Sequence, residues 1–196
     1  DTVTDGATRM LVLFYFYQLG YSPLAVASLF IFYEVFGIVT NLFGGYLGAR
    51  FGLKSTLFIG LGTQLVALSM LAFAPQGWLV VAYVMVSQAL SGIAKDMTKM
   101  SSKSAVKLIA PEDASATLYR WVSILTGSKN ALKGVGFFLG GLLLTLLDFQ
   151  TALKSLVALV GGTLILAALM MRGGLGQANK KAKFGQMFSR NGAVNK

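Results

Sequence analysis

The chain has 196 residues, with 17 Lys and Arg against 7 Asp and Glu, no His and no Cys, a formal charge of +10 and a hydrophobic fraction of 55%. With a mean hydropathy of +0.68, this composition excludes an ordinary soluble domain. The missing His and Cys exclude disulfides, zinc sites, thiol nucleophiles, thiolate ligands for a soft ion and His-based catalysis.

Six apolar runs follow one another at Ala7–Leu19, Leu24–Leu47, Thr56–Ala74, Trp78–Ala94, Trp121–Leu147 and Ala152–Met171. A bilayer core of about 30 Å takes about 20 helical residues. Five runs reach or approach that length; the first is shorter and lies close to Asp1. The pattern predicts an all-α membrane protein of six transmembrane helices without sheet, since lipid-exposed strand edges are not tolerated. Tight turns fall at Leu19–Pro23 and Ala74–Gly77, with Trp78 at a membrane boundary where an amphipathic ring is favoured. Lys95–Ala110 reads as a continuation of the fourth helix beyond the membrane. Its Lys95, Lys99, Lys103 and Lys107 recur every four residues, a single stripe read as solvated and facing lipid headgroups. Pro111-Glu112-Asp113 reads as a helix start. Residues 172–196 read as a basic, Gly-rich cytoplasmic linker. Residues 1–171 are then expected to be a six-helix half, its first helix truncated at the start, with a second half to follow.

Charge gives the orientation. The gaps at Gly20–Pro23, Pro75–Gly77 and Asp148–Thr151 carry no Lys or Arg. The other gaps and the tail hold 13 of the 17 basic residues. Lys/Arg excess marks the cytoplasmic side, which places both ends inside, in a multi-pass arrangement in the cell (inner) membrane. The same flanking pattern removes nucleic acid as a partner, although a soluble chain of this charge would suggest it.

Small residues cluster in the spans, notably Gly136 and Gly140 in a G-x-x-x-G and Gly44, Gly45 and Gly48 at the end of the second run, as helix packing in lipid requires. Ionisable residues are costly there, about 2.5–3.5 kcal/mol at a helix centre, so each needs a reason. Arg9 falls about 16 Å and Glu34 about 18 Å from the outer boundary at 1.5 Å per residue, near mid-depth; Gln88 lies at a similar depth. Arg9 offers a planar fork of donors suited to an oxyanion. It is a candidate substrate contact, a structural partner of Glu34, or both in turn. Glu34 and Asp5 are candidate proton carriers. Lys129 and Lys133 stand one turn apart in the inner half, as a positive funnel or as stems reaching the interface. Asn41, two turns below Glu34, could hydrogen-bond substrate or join helices. No phosphate-binding loop, catalytic triad or carboxylate pair is present, which argues against an enzyme and calls for no cofactor.

The turn Gly45-Tyr46-Leu47-Gly48-Ala49-Arg50-Phe51-Gly52-Leu53-Lys54 resembles the major facilitator superfamily signature G-x-L-A-D-R-x-G-R-[KR] at Gly45, Leu47, Arg50, Gly52 and Lys54. Ala49 replaces the usual acid and Leu53 the usual base, so the intracellular charge lock of the family is not expected in its usual form. The stretches TDGATRMLVLFYFYQLGYSP, FYEVFGIVTNLFGGYLGARFGLKST, QALSGIAKDMTKMSSKSAVK and RWVSILTGSKNALKGVGFFLGG resemble the ArsJ-type organoarsenical efflux permeases of that superfamily. The resemblance implies the N-terminal six-helix half of a transporter whose substrate binds near the midplane between two halves. It implies export of 1-arseno-3-phosphoglycerate, the ester made when glyceraldehyde-3-phosphate dehydrogenase uses arsenate, and hence arsenate resistance. An exporter of another organic phosphate or drug is the alternative within the class, and a non-transporting membrane scaffold the alternative outside it.

The topology is open to a direct test. A single Cys introduced in the Arg50–Lys54 turn is expected to resist a membrane-impermeant thiol reagent applied from outside. One at Gln76 is expected to react, and the reverse result would reject the orientation.

Overall fold

The computed structural model describes residues 2–109 and 115–171. The expected helix start at Pro111-Glu112-Asp113 and the linker reading of residues 172–196 lie outside the described residues; of Lys107 only the helical backbone is described. Every long element is a helix: α1 (Thr2–Gln18), α2 (Pro23–Ser28), α3 (Ile31–Phe51), α4 (Leu53–Ala72), α5 (Val81–Ile109), α6 (Ser115–Leu146) and α7 (Phe149–Met170), with a 3₁₀ turn at Gln76–Trp78. No strand occurs among the described residues.

Local chemistry sets the boundaries. Ser22 caps α2, its Oγ accepting from Ala25 N at 3.3 Å, and Pro23 follows at the first turn, where its missing N–H costs nothing. Gly52 separates α3 from α4 with φ 78°, a conformation that disfavours any side chain. Asp148 caps α7 by accepting from the Thr151 N–H at 3.0 Å. Bonds from Thr151 hold its carboxyl below the usual carboxylate range.

The second apolar run, expected as one helix, is interrupted at Leu29–Phe30. No Gly or Pro lies there. Ser28 Oγ donates to the Ala25 carbonyl at 2.6 Å, and the Leu29 and Phe30 amides donate three residues back, to Val26 and Ala27. A side chain bonding back to its own turn bends a helix, and the tightened turn finishes the break.

Among the described residues three stretches are long and apolar enough to cross a membrane: Pro23–Gly44, Leu53–Ala72 and Phe149–Met170. The three helices outside that set, α1, α5 and α6, are the ones that carry Asp5, Arg9, Lys95, Asp96, Lys99, Lys103, Lys129 and Lys133. Their lower apolarity is the charge they bring together.

The packing has a simple plan. α1 and α6 run parallel, with Gly136 against Val3 and Gly140 against Ala7. α3 and α5 run parallel, with Gly37 against Asp96 and Gly44 against Met100. α4 lies antiparallel to α5, where Ser87 Oγ donates to the Ala67 carbonyl at 2.8 Å and Ser91 Oγ to Gln64 Oε1 at 3.0 Å. α4 also packs on α7. Leu11 and Phe16 of α1, Leu68 and Leu71 of α4, and Leu153 and Leu156 of α7 form an apolar core. It occupies the end of the bundle away from the N-terminus of α1. At the other end α1 turns polar, with Thr4, Asp5 and Thr8 buried.

The G-x-x-x-G contact gives a prediction of sign. A Cβ on Gly136 would lie 2.3 Å from the Val3 carbonyl oxygen, whereas one on Gly134 would meet nothing within 4 Å. Gly136→Ala is expected to destabilise by about 1–3 kcal/mol, because two backbones must part. Gly134→Ala is expected to be neutral or to stabilise by up to about 1 kcal/mol through helix propensity. Thermal unfolding of the two variants in the same detergent checks the contrast.

Candidate functional site

α1, α3, α5 and α6 bring their charges to one region. Arg9 and Glu34, matched in depth by the sequence, form an ion pair at 3.1 Å. The pair is not sealed: the Glu34 side chain is 53% exposed and that of Arg9 23%. Glu34 has a second cation, Lys95, at 3.8 Å. Asp96 lies 3.4 Å from Lys99 and 4.0 Å from Lys95 and is itself buried against α3. Asp5 is buried, accepts from the Tyr33 hydroxyl at 2.5 Å and faces Lys133 at 3.9 Å.

A cavity of about 430 Å³ opens beside this network. α5 lines it with Lys95, Lys99 and Lys103, α6 with Lys129 and Lys133, and α1 with Asp5. Hydroxyls of Thr98, Ser102 and Thr126 and the amide of Asn130 complete its polar wall. The stripe Lys95–Lys99–Lys103 therefore faces a cavity shared with α6. α5 continues unbroken past the end of its apolar run at Ala94, and beside the stripe Asp96 packs against Gly37 of α3.

Six cations, Arg9, Lys95, Lys99, Lys103, Lys129 and Lys133, thus meet three carboxylates, Asp5, Glu34 and Asp96. Among the described residues, Lys103 and Lys129 lie within ion-pair distance of no carboxylate. A half-enclosed space with surplus ammonium charge and one planar guanidinium nearby is complementary to an oxyanion. The same groups offer nothing to a soft cation, and among the described residues no group of His, Cys, Asp or Glu could hold a metal ion.

The other sequence candidates fall elsewhere. Asn41 is exposed on α3 and does not line the cavity. Gln88 is fully buried on α5, and neither its amide nitrogen nor its amide oxygen has a hydrogen-bond partner. Seven residues before Lys95, it stands about 10 Å further along the helix. In the signature turn, Arg50 donates to the Tyr46 hydroxyl and Lys54 to the Met171 carbonyl at the end of α7. These two bases are engaged locally, in a turn where Ala49 supplies no acid. Tyr33 and Asp96 are members of the network that the sequence reading does not name, and it takes Lys95, Lys99 and Lys103 only as a solvated stripe. The shared four-residue spacing of Lys95/Lys99/Lys103 and Lys129/Lys133 is the signal that could have paired α5 with α6.

The family model for the Major Facilitator Superfamily matches residues 3–189. No curated protein matches the chain.

The unpaired cations should separate binding from folding. Lys129→Met removes a partly desolvated charge that has no partner, so thermal stability is expected to hold or rise. Binding of inorganic phosphate is expected to weaken about tenfold or more, the usual range for losing a hydrogen bond to a charged group. A melting curve and a phosphate titration on the same preparation check both halves.

Proposed function

The chain belongs to the major facilitator superfamily, and from that premise we propose that this transporter moves an organic oxyanion out of the cytoplasm. The observation that carries the reading is the surplus of cations over carboxylates around one cavity of about 430 Å³. Arg9, Lys129 and Lys133 hold the anion on this reading, and the α5 lysines join them. Glu34 is the internal anion that occupies Arg9 and Lys95 until substrate replaces it. A half-exposed carboxylate 3.1 Å from one cation and 3.8 Å from another can be exchanged for a ligand at modest cost, because water still reaches it. Glu34 or Asp5 would carry a proton if the transport is coupled to protons.

The substrate we propose is 1-arseno-3-phosphoglycerate, with arsenate resistance as the outcome. The support is the sequence resemblance described above, together with a cavity built from hard-anion donors in a chain without thiols. In this reading six helical passages, with α2 and α3 counted as one, form a half-transporter with both ends cytoplasmic and the α1–α2, α4–α5 and α6–α7 turns outside. A second half would close the exposed side of Glu34. The cation cluster equally suits another organic phosphate, and the alternative keeps the same mechanism with a different cargo.

Cells that express the protein together with glyceraldehyde-3-phosphate dehydrogenase are expected to tolerate several-fold more arsenate and to gain nothing against arsenite. Equal protection against arsenite, or protection that needs no dehydrogenase, would sink the organoarsenical reading. Uptake of 3-phosphoglycerate into inverted vesicles without arsenate protection would favour the organic phosphate.

A further inference from the structure

Among the described residues Tyr33 is the largest fully buried side chain, yet it sits in the middle of the charge network. The Arg9 guanidinium lies 4.6 Å and the Lys95 ammonium 4.2 Å from its ring centroid. Its hydroxyl donates to Asp5 at 2.5 Å, and the other oxygen of that carboxylate faces Lys133 at 3.9 Å. One side chain on α3 therefore touches a cation from α1 and a cation from α5, and reaches a third on α6 through a single carboxylate.

We propose that Tyr33 is the positioning residue of the anion site: its ring holds Arg9 and Lys95 side by side, and its hydroxyl fixes the Asp5 carboxylate that orients Lys133. The proposal rests on the reading of the cluster as an anion site and adds how the site stays assembled when its internal anion leaves. Arg9 and Lys95 repel each other. Glu34 lies between them at 3.1 and 3.8 Å, but Glu34 is half exposed and is the group an incoming oxyanion would displace. A carboxylate in place of the ring would hold the two cations by neutralising them. The negative face of an aromatic ring attracts cations and leaves their charge and their N–H donors available.

The ring is also fixed in space. A Cβ on Gly92 of α5 would lie 2.1 Å from the Tyr33 carbonyl oxygen, so the two backbones touch at this residue. Only a residue without a side chain permits that approach. The α2–α3 break ends at Phe30, whose own ring lies 5.2 Å from the Arg9 guanidinium. The first turn of α3 thus presents Phe30, Tyr33 and Glu34 to a single cation.

The test uses the protein in nanodiscs. Three variants, Tyr33→Phe, Tyr33→Leu and Glu34→Gln, are compared with wild type in two assays. The first, without any ligand, reads the rate of modification of Lys95 by an amine reagent and of Arg9 by phenylglyoxal, with unpaired Lys103 as internal reference. The second is titration with 3-phosphoglycerate. Tyr33→Leu is expected to raise Lys95 and Arg9 modification several-fold and to weaken 3-phosphoglycerate about tenfold, from the loss of two cation–π contacts. Tyr33→Phe is expected to keep both modification rates near wild type. Glu34→Gln is expected to leave Lys95 slower than Lys103, because the ring still holds it. Lys95 reacting as fast as Lys103 in Glu34→Gln would overturn the proposal, and this arm stands even if Tyr33→Leu fails to fold. Wild-type rates in a folded Tyr33→Leu would overturn it too, as would identical behaviour of Tyr33→Phe and Tyr33→Leu. Failure of wild type to bind 3-phosphoglycerate would count against the anion-site reading, while the modification rates still decide the role of Tyr33.

Discussion

Charge placed among apolar helices governs this bundle. A single charged side chain at the centre of a membrane helix costs about 2.5–3.5 kcal/mol on insertion scales, and this chain gathers six cations and three carboxylates on four helices. The cost is met in three ways, and each leaves a mark on the architecture. Buried acids are paired, as Asp5 and Asp96 are with Lys133 and Lys99. Aromatic faces take cations, as Tyr33 does for Arg9 and Lys95 and Phe137 for Lys133. The remainder line the cavity or, like Glu34, keep an exposed side. The contacts that cross between helices, Asp5 with Lys133 and Tyr33 with Arg9 and Lys95, need the helices close together. The close approaches at Gly136 and Gly92 bring the side chains within reach of one another.

The same constraint divides the bundle lengthwise. α1 is apolar in its second half, where Leu11, Val12 and Phe16 pack into the core, and polar in its first half, where Thr4, Asp5, Thr8 and Arg9 face the network. The well-packed end has interlocking rings, with Tyr15 stacked on Phe149 at 3.9 Å. The charged end has a cavity and ion pairs of 3.1–4.0 Å. Loosely held pairs suit a site that must release what it binds. A pair optimised for stability would be desolvated on both sides and costly to open. Membership of a transporter superfamily accords with a site that is assembled but not sealed.

Much of this was legible in the residues. The helices follow from the apolar runs and the turn chemistry at Ser22-Pro23, Gly52 and Asp148. The Arg9–Glu34 pair follows from matching depth on adjacent helices. The packing role of Gly136-x-x-x-Gly140 follows from its spacing. What escaped has physical reasons. The break at Leu29–Phe30 carries no Gly or Pro and arises from Ser28 bonding back to Ala25, a rotamer choice that the sequence does not display. The continuation of the fourth helix past Ala94 and its stripe of Lys95, Lys99 and Lys103 are legible, but that the stripe lines a cavity with Lys129 and Lys133 depends on how α5 sits against α6, which spacing on one helix does not display. Asn41, two turns below Glu34, is exposed on α3 and does not line the cavity, which its spacing from Glu34 alone does not reveal. The prominence of Tyr33 could not be read at all, because an aromatic residue in an apolar run looks like core until its neighbours are known.

The selectivity such a site can offer follows from the kinds of donor it contains. Ammonium groups on flexible stems adapt to any tetrahedral oxyanion, and a planar fork such as Arg9 adds direction without sensing the size of the central atom. Arsenate and phosphate esters present nearly the same oxygens. On the proposed function, then, discrimination between them cannot reside in the cation cluster. It must come from the part of the substrate beyond the anion and from what the cytoplasm supplies. The fully buried, unpartnered amide of Gln88, two helical turns beyond Lys95 on α5, is the one sequence candidate placed to meet an uncharged group. To do so α3 and α5 would have to part near the Leu29–Phe30 break, where α3 loses its helical continuity with α2.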